Sequence, residues 1–297
     1  MSTEPLEFDS SIASKSIFTI AGIKVYIYGL SDLPKSDITK PKDVAVFYIL
    51  HGRLSSHKFS ESYAYKVLTK YKELKKKILY PNHGERVVDP NRNLSWNKGN
   101  MTHLMDMCSI IDKAVQDCMI LIDYLPSYFQ GYQFHNIILG TSLGGHACYR
   151  LAAKIPRKIE MIIPVIGCTD LCSLLINRVK NLNGKDLQLG LRKLSYEDLK
   201  LTKEQQFLWP EYFHNYLSKQ DYQVAENFPN HVKVFAIFGC LDTIVPPIFS
   251  KEWTQDMIER RCYDDSIKVE YFEKIGHQHT LEMCDAYSKW LVENITY

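Results

Sequence analysis

Apolar residues along this chain fall into short runs separated by stretches with helical spacing. SIFTIAGIKVYIYGL (16–30) holds two β-rich runs around Ala21-Gly22 and predicts a hairpin. DVAVFYILHG (43–52) is almost continuously apolar, as a strand is when helices cover both of its faces. FHNIILG (134–140), KIEMIIPVIG (158–167), HVKVFAIFG (231–239) and SIKVEYFEKIG (266–276) have the same character. Helical spacing predicts helices over about 60–77 and 101–124, after Gly144, in PIFSKEWTQDMIERRC and in the closing TLEMCDAYSKWLVENI. Residues 81–102 read as a long polar loop. A hairpin followed by alternating strands and helices predicts a mostly parallel sheet with helices on both faces. Residues 168–230 interrupt the alternation with helical and irregular character and no strong strand. They read as a lid-like segment inserted over the sheet of one domain spanning 1–297.

Composition narrows this picture mainly by exclusion. With 297 residues, 45% of them hydrophobic and 24% charged, the chain has material for a sizeable core. A formal net charge of +2 gives no reason to expect nucleic acid as a partner. The local basic run KYKELKKK (70–77) reads as a solvated helix face. The opening MSTEPLEFDSSIASKS has no apolar segment of a secretory signal, and it carries acidic residues without Arg, unlike a mitochondrial presequence. No run of eighteen apolar residues occurs, so no stable membrane insertion is expected. The eight cysteines are scattered and read as reduced, buried thiols. Cys168 and Cys172 lack a second pair or nearby histidines, so no zinc site is expected. The expectation is a soluble, cytoplasmic protein; oligomeric state is left open.

The candidate chemistry centres on IILGTSLGGHACYRLAA (137–153), where Gly140-Thr141-Ser142-Leu143-Gly144 joins a predicted strand to a predicted helix. That is the context a G-x-S-x-G nucleophile turn requires, although Ser142 as an ordinary helix cap has the same neighbours. A serine hydroxyl needs a base, and the base needs an orienting carboxylate. Asp242 follows the run ending at Gly239 and His277 follows the run ending at Gly276, in the chain order Ser…Asp…His. Asp242 also reads as a cap for the helix beginning near Pro246, and Asp170 is the alternative acid. His279 is the alternative base, while His146, one turn along the helix, is expected to point away. Oxyanion donors are expected from the N–H of Leu143 and from Arg53 or Leu54 after His51-Gly52. The Arg53 side chain could also meet an anionic substrate group.

Together, Gly140–Gly144, Asp242 in GCLDTIVP, His277 in IGHQHT and His51-Gly52 resemble the α/β-hydrolase superfamily over nearly the whole chain. The resemblance is to small intracellular serine esterase-like members, akin to the dienelactone-hydrolase and prolyl-oligopeptidase catalytic-domain branch or a fungal group. It implies an α/β-hydrolase fold with an eight-stranded, mostly parallel sheet. It also implies Ser142, Asp242 and His277 as triad, with Leu143 and Arg53 as oxyanion donors. The chain departs from the pattern in lacking an Asp-containing segment before NHGER (82–86) and a multi-glycine oxyanion loop. The expected activity is hydrolysis of a small-molecule carboxylic ester or thioester, with no cofactor and no metal. An acyltransferase or peptidase would use the same residues. A third reading is a hydrolase-fold protein that binds a ligand or partner without turnover. Phe207, Leu208, Trp209, Tyr212, Phe213 and Tyr216 either line the substrate pocket or anchor the 168–230 segment.

Overall fold

The computed structural model describes residues 9–73, 78–79, 89–261 and 266–296. Strands β1 (Lys15–Ile20) and β2 (Ile23–Tyr28) form an antiparallel hairpin around Ala21-Gly22, both at positive φ. Six further strands make one parallel sheet: β3 (Lys42–Leu50), β4 (Ile78–Leu79), β5 (Tyr132–Thr141), β6 (Met161–Val165), β7 (Lys233–Gly239) and β8 (Ile267–Phe272). Their order is β4-β3-β5-β6-β7-β8. The sheet therefore has six strands among the described residues where eight were expected, and the hairpin stands apart as a two-stranded sheet. The hairpin satisfies its backbone by pairing with itself, and β4 adds only two residues at the sheet edge.

Strand β3 shows why the sheet is covered on both faces. Val44, Val46, Tyr48 and Leu50 enter one apolar layer, and Ala45, Phe47 and Ile49 enter the other. Period-two alternation of apolar residues on both faces leaves no wet side. The first layer is built with helices α2 (His103–Tyr128), α3 (Leu143–Lys154), α4 (Leu171–Val179), α6 (Glu211–Glu226) and α7 (Ile248–Arg260), α5 being Lys203–Leu208. The second is built with α1 (His57–Glu73) and α8 (Leu281–Asn294). Each fully buried aliphatic or aromatic side chain contributes about 1.5–3 kcal/mol, so these layers dominate the stability of the sheet.

The 168–230 segment lies between β6 and β7 in the chain and carries α4, α5 and α6. Trp209, Phe213 and Leu217 are buried in the first apolar layer, whereas Phe207 and Tyr212 are 68% and 84% exposed. Its aromatics thus anchor the segment to the main fold where they are buried. The buried ion pair of Arg150 on α3 with Asp221 on α6, at 2.7 Å, ties the same two elements together. Arg150 also donates to Gln220, and Asp221 accepts from the Cys172 N–H at 2.6 Å. The polar loop expected at 81–102 lies partly outside the described residues. From Asp89 onward it contains two short 3-10 turns, Pro90–Asn93 and Trp96–Lys98.

The topology sets where a site can form. From β3 the chain moves outward to β4 and returns on the other side to β5, so the crossover direction reverses between β3 and β5. In open α/β sheets the crevice at such a reversal, beyond the strands' carboxyl ends, is where ligands bind. Leu50 lies opposite Gly140, and Thr141 opposite Val165, so the loops leaving β3, β5 and β6 emerge side by side.

Candidate active site

Ser142 follows β5 and precedes α3 with φ 56° and ψ −111°, a conformation that L-residues rarely adopt. Its backbone N–H donates to Val165 O at 2.8 Å, and its carbonyl accepts from the His146 N–H, so the turn is held at both sides. The flanking glycines are demanded by packing. A Cβ on Gly140 would lie 2.1 Å from Gly144 O, and one on Gly144 would lie 2.2 Å from Leu50 O. The tight turn seats the start of α3 directly on the end of β3.

The hydroxyl of Ser142 lies 2.8 Å from His277 Nε2. His277 Nδ1 in turn lies 2.7 Å from Asp242 Oδ2. With Asp242 ionised, Nδ1–H donates to the carboxylate and Nε2 is left to accept from the serine. Ser142, His277 and Asp242 are all buried, at 7%, 8% and 4% exposure, so water competes little for these bonds. The other oxygen of Asp242, Oδ1, accepts from the N–H groups of Ile244 and Val245, both at 2.8 Å. The two roles read for Asp242, loop cap and partner of the histidine, are thus divided between its two oxygens. Asp170, the alternative acid, instead caps α4 by accepting from the Ser173 N–H at 2.9 Å and lies 3.6 Å from Arg192.

The two other histidines near the turn have different surroundings. His279 places Nδ1 2.8 Å from Thr141 Oγ1 and stacks on Tyr63 at 3.8 Å between ring centroids. The Tyr63 hydroxyl donates to His279 O at 2.7 Å. Burial pushes the pKa of His279 down to about 3, so its ring is neutral across the ordinary pH range. His146 is 5% exposed and accepts the Cys168 N–H on Nδ1 at 3.0 Å. Burial pushes this pKa down to about 3 as well. Neither ring contacts Ser142 Oγ by hydrogen bond among the described residues, whereas His277 does.

On the opposite side of Ser142, the turn after β3 closes in: a Cβ on Gly52 would lie 3.5 Å from Ser142 Cβ. Arg53 follows, and Leu54 adopts φ 62°, bending the chain away. The Leu143 N–H heads α3, where a helix N-terminus favours negative charge. Ser142 shares a small pocket with Phe59, Ile166, His277 and His279. Gly52, Arg53 and Ser55 border both this pocket and a larger, mainly apolar cleft of about 440 Å³, which Leu50, Ile110, Ala114 and Leu143 also line. No group of three His, Cys, Asp or Glu residues among those described could hold a metal ion. Nor is any described helix long and apolar enough to cross a membrane.

The chain matches no protein-family model and no curated protein at a significant level of sequence similarity. Solved structures nevertheless share its architecture. The esterase Pf2001 of Pyrococcus furiosus is 15% identical, with a TM-score of 0.51 over 98% of this chain and 97% of its own. Est1E of Butyrivibrio proteoclasticus is 15% identical, with a TM-score of 0.54 over 94% of this chain and 98% of its own. A putative dienelactone hydrolase of Klebsiella pneumoniae is 12% identical, with a TM-score of 0.54 over 95% and 98%. The fold is that of the α/β hydrolases. At these identities the likeness speaks for the fold alone, and the α/β-hydrolase fold hosts many functions.

Several parts of this arrangement escape the sequence reading. The brace formed by Thr141, His279 and Tyr63 joins positions far apart in the chain, and no local signal announces it. Arg178, in the last turn of α4, donates through Nη2 to Ile244 O at 2.6 Å and so meets the loop holding Asp242. It lies in a stretch whose irregular character gave no path for the chain.

Proposed function

We propose that this protein is a serine hydrolase that cleaves a carboxylic ester or thioester through an acyl-enzyme on Ser142. The observation that carries the reading is the relay from Ser142 Oγ to His277 Nε2 at 2.8 Å and from His277 Nδ1 to Asp242 Oδ2 at 2.7 Å. The strained backbone of Ser142 supports it, because a nucleophile turn of this kind holds the serine at the strand end, where Ser142 lines the pocket. The apolar cleft bordering the site supports an organic acyl or alcohol group as ligand. The esterases among the structural neighbours favour an ester over other acyl compounds.

In the proposed reaction, His277 takes the proton of Ser142 as the oxygen attacks the carbonyl carbon. The N–H groups of Leu143 and Arg53 receive the oxyanion, and Asp242 keeps the imidazolium oriented. His277 returns the proton to the leaving alcohol or thiol as the acyl bond to it breaks. Water, deprotonated by the same histidine, then attacks the acyl-serine and releases the acid, restoring Ser142. An acyl acceptor other than water would make the same site a transferase, and an amide acyl donor with an amine leaving group would make it a peptidase.

A panel of 4-nitrophenyl esters and acyl thioesters of rising chain length tests the reading. Turnover should be saturable for the wild type, and Ser142→Ala or His277→Gln should each lower kcat by roughly 10³-fold or more. Equal turnover by the wild type and Ser142→Ala would remove the serine from the chemistry. Folded wild-type protein inert to the whole panel would favour ligand binding without turnover.

A further inference from the structure

Several arginines of this fold, buried or exposed, sit beside carboxylates. Arg150 meets Asp221 at 2.7 Å, Arg192 meets Asp170 at 3.6 Å, and Arg92 lies 3.7 Å from both Asp89 and Asp106. Arg53 and Arg178 differ. Neither forms an ion pair with a carboxylate among the described residues, and each donates to a single backbone carbonyl. Arg53 Nη1 reaches Asn93 O at 3.1 Å, and Arg178 Nη2 reaches Ile244 O at 2.6 Å. Guanidinium groups carry five donors, so both retain capacity for a ligand.

Each side chain meets one element of the candidate site. Arg53 borders the pocket that contains Ser142 and His277. Arg178 is docked on Ile244, whose own N–H is bound by Asp242 Oδ1. Arg178 is disfavoured as a cation first by burial, and Arg53 is among the charges acting on it, so the two lie within electrostatic range. His103 at the start of α2 is depressed first by burial and then by Arg53, with Arg178 contributing as well. Its Nδ1 is buried without a hydrogen-bond partner, and the residue is 8% exposed.

Like charges held together in a partly desolvated place are costly unless an anion joins them. Among the described residues the nearby acids do not serve. Asp242 attracts Arg178, but its oxygens are taken by His277 and by the N–H groups of Ile244 and Val245. In the large cleft, Asp117 pairs with Lys113 at 2.5 Å and Asp89 with Arg92 at 3.7 Å, which leaves Arg53 as the uncompensated charge among the described residues of its lining. The forked guanidinium suits the paired oxygens of a carboxylate or a phosphate.

We propose that Arg53 and Arg178 form an anion subsite beside Ser142, so that the ester or thioester turned over there carries a carboxylate or phosphate group. This rests on the serine-hydrolase reading, and names the substrate class for it. The anionic group binds as a recognition element and takes no part in bond breaking.

The test measures kcat/KM for two matched pairs. One pair is the 4-nitrophenyl monoester of glutaric acid against 4-nitrophenyl pentanoate. The other is butyryl-coenzyme A against butyryl-N-acetylcysteamine. The anionic member of at least one pair should be favoured by roughly 10- to 100-fold, the range expected for charge-assisted hydrogen bonds. Preference in the first pair identifies a carboxylate, and preference in the second a phosphate. Arg53→Gln and Arg178→Gln should each reduce that ratio, with Arg178→Lys retaining more of it than Arg178→Gln. Arg53→Gln keeps the test decisive if Arg178→Gln loosens the acid loop. Ratios near one in both pairs, or a preference untouched by either glutamine variant, would overturn the subsite while neutral-ester turnover left the hydrolase reading standing. If neither member of any pair is turned over, calorimetric titration of the wild type and the double glutamine variant with glutarate and inorganic phosphate decides. Binding lost in the double variant upholds the subsite, and no binding to the wild type overturns it.

Discussion

Replacing Asp242 by Asn tests the orientation of His277 with little change of shape. The geometry fixes which way the amide turns. Oδ1 accepts from the N–H groups of Ile244 and Val245, both at 2.8 Å, so an NH₂ group placed there would face two donors. The Asn oxygen therefore stays on the loop, and its NH₂ faces His277 Nδ1, now 2.7 Å from a carboxylate oxygen. Nδ1 must then accept, the ring proton moves to Nε2, and Nε2 can no longer take the proton of Ser142 2.8 Å away. Loss of the correct tautomer in a triad of this kind costs about 10⁴-fold in kcat, or about 5.4 kcal/mol of barrier. Stability should suffer far less, because the loop keeps both of its bonds to the side-chain oxygen. The assay compares kcat on a neutral 4-nitrophenyl ester, the rate of fluorophosphonate labelling, and Tm. A variant within about tenfold of wild type in both rates would refute the assignment of Asp242 as the orienting acid.

Three other outcomes follow from the same contacts. Gly144→Ala puts a Cβ 2.2 Å from Leu50 O, forcing α3 off β3; overpacking of this kind should cost about 3 kcal/mol or more in urea unfolding, and a variant as stable as wild type would contradict the packing. Asp221→Ala removes the close partner of the Arg150 guanidinium, which is 4% exposed and keeps only Gln220 and, at 3.8 Å, Asp112; it should destabilise by about 3 kcal/mol, whereas a neutral effect would mean that the pair is not the tie between α3 and α6. His146 and His279 have folded pKa values pushed down to about 3 by burial, so the unfolded chain binds more protons below about pH 6.5. Stability should accordingly fall as pH drops from about 6.5 toward 3, by up to about 1.4 kcal/mol per unit for each ring, and His279→Asn should flatten the profile; an unchanged slope would refute the burial argument for that ring.

The convergence of Ser142, His277 and Asp242 was readable because each residue follows an apolar run that the sequence marks as a strand. Parallel strands end on one edge of the sheet, so residues just past those ends are brought together whatever the intervening chain does. What decides between His277 and His279 is not local. The two lie in one short loop, and the contact that commits His279 elsewhere is a stack on Tyr63, far earlier in the chain. The hairpin was legible from Ala21-Gly22, but its separation from the parallel sheet was not, because strand partners are chosen by tertiary packing and not by period. The aromatics of 205–216 show the same limit. Trp209, just past the end of α5, and Tyr212, in the first turn of α6, lie three residues apart, and one is fully buried while the other is 84% exposed. Arg178 reaches the acid loop only because α4 packs beside it, which no spacing rule reports.

The central claim is that Ser142 is an activated nucleophile. Intact-mass measurement after exposure to a fluorophosphonate tests it directly, with Ser142→Ala treated in parallel and both proteins shown to be folded. The account predicts one phosphonyl adduct on the wild type, located at Ser142 by peptide mapping, and none on the variant. Folded wild-type protein that stays unmodified, or an adduct that persists in Ser142→Ala, would contradict it.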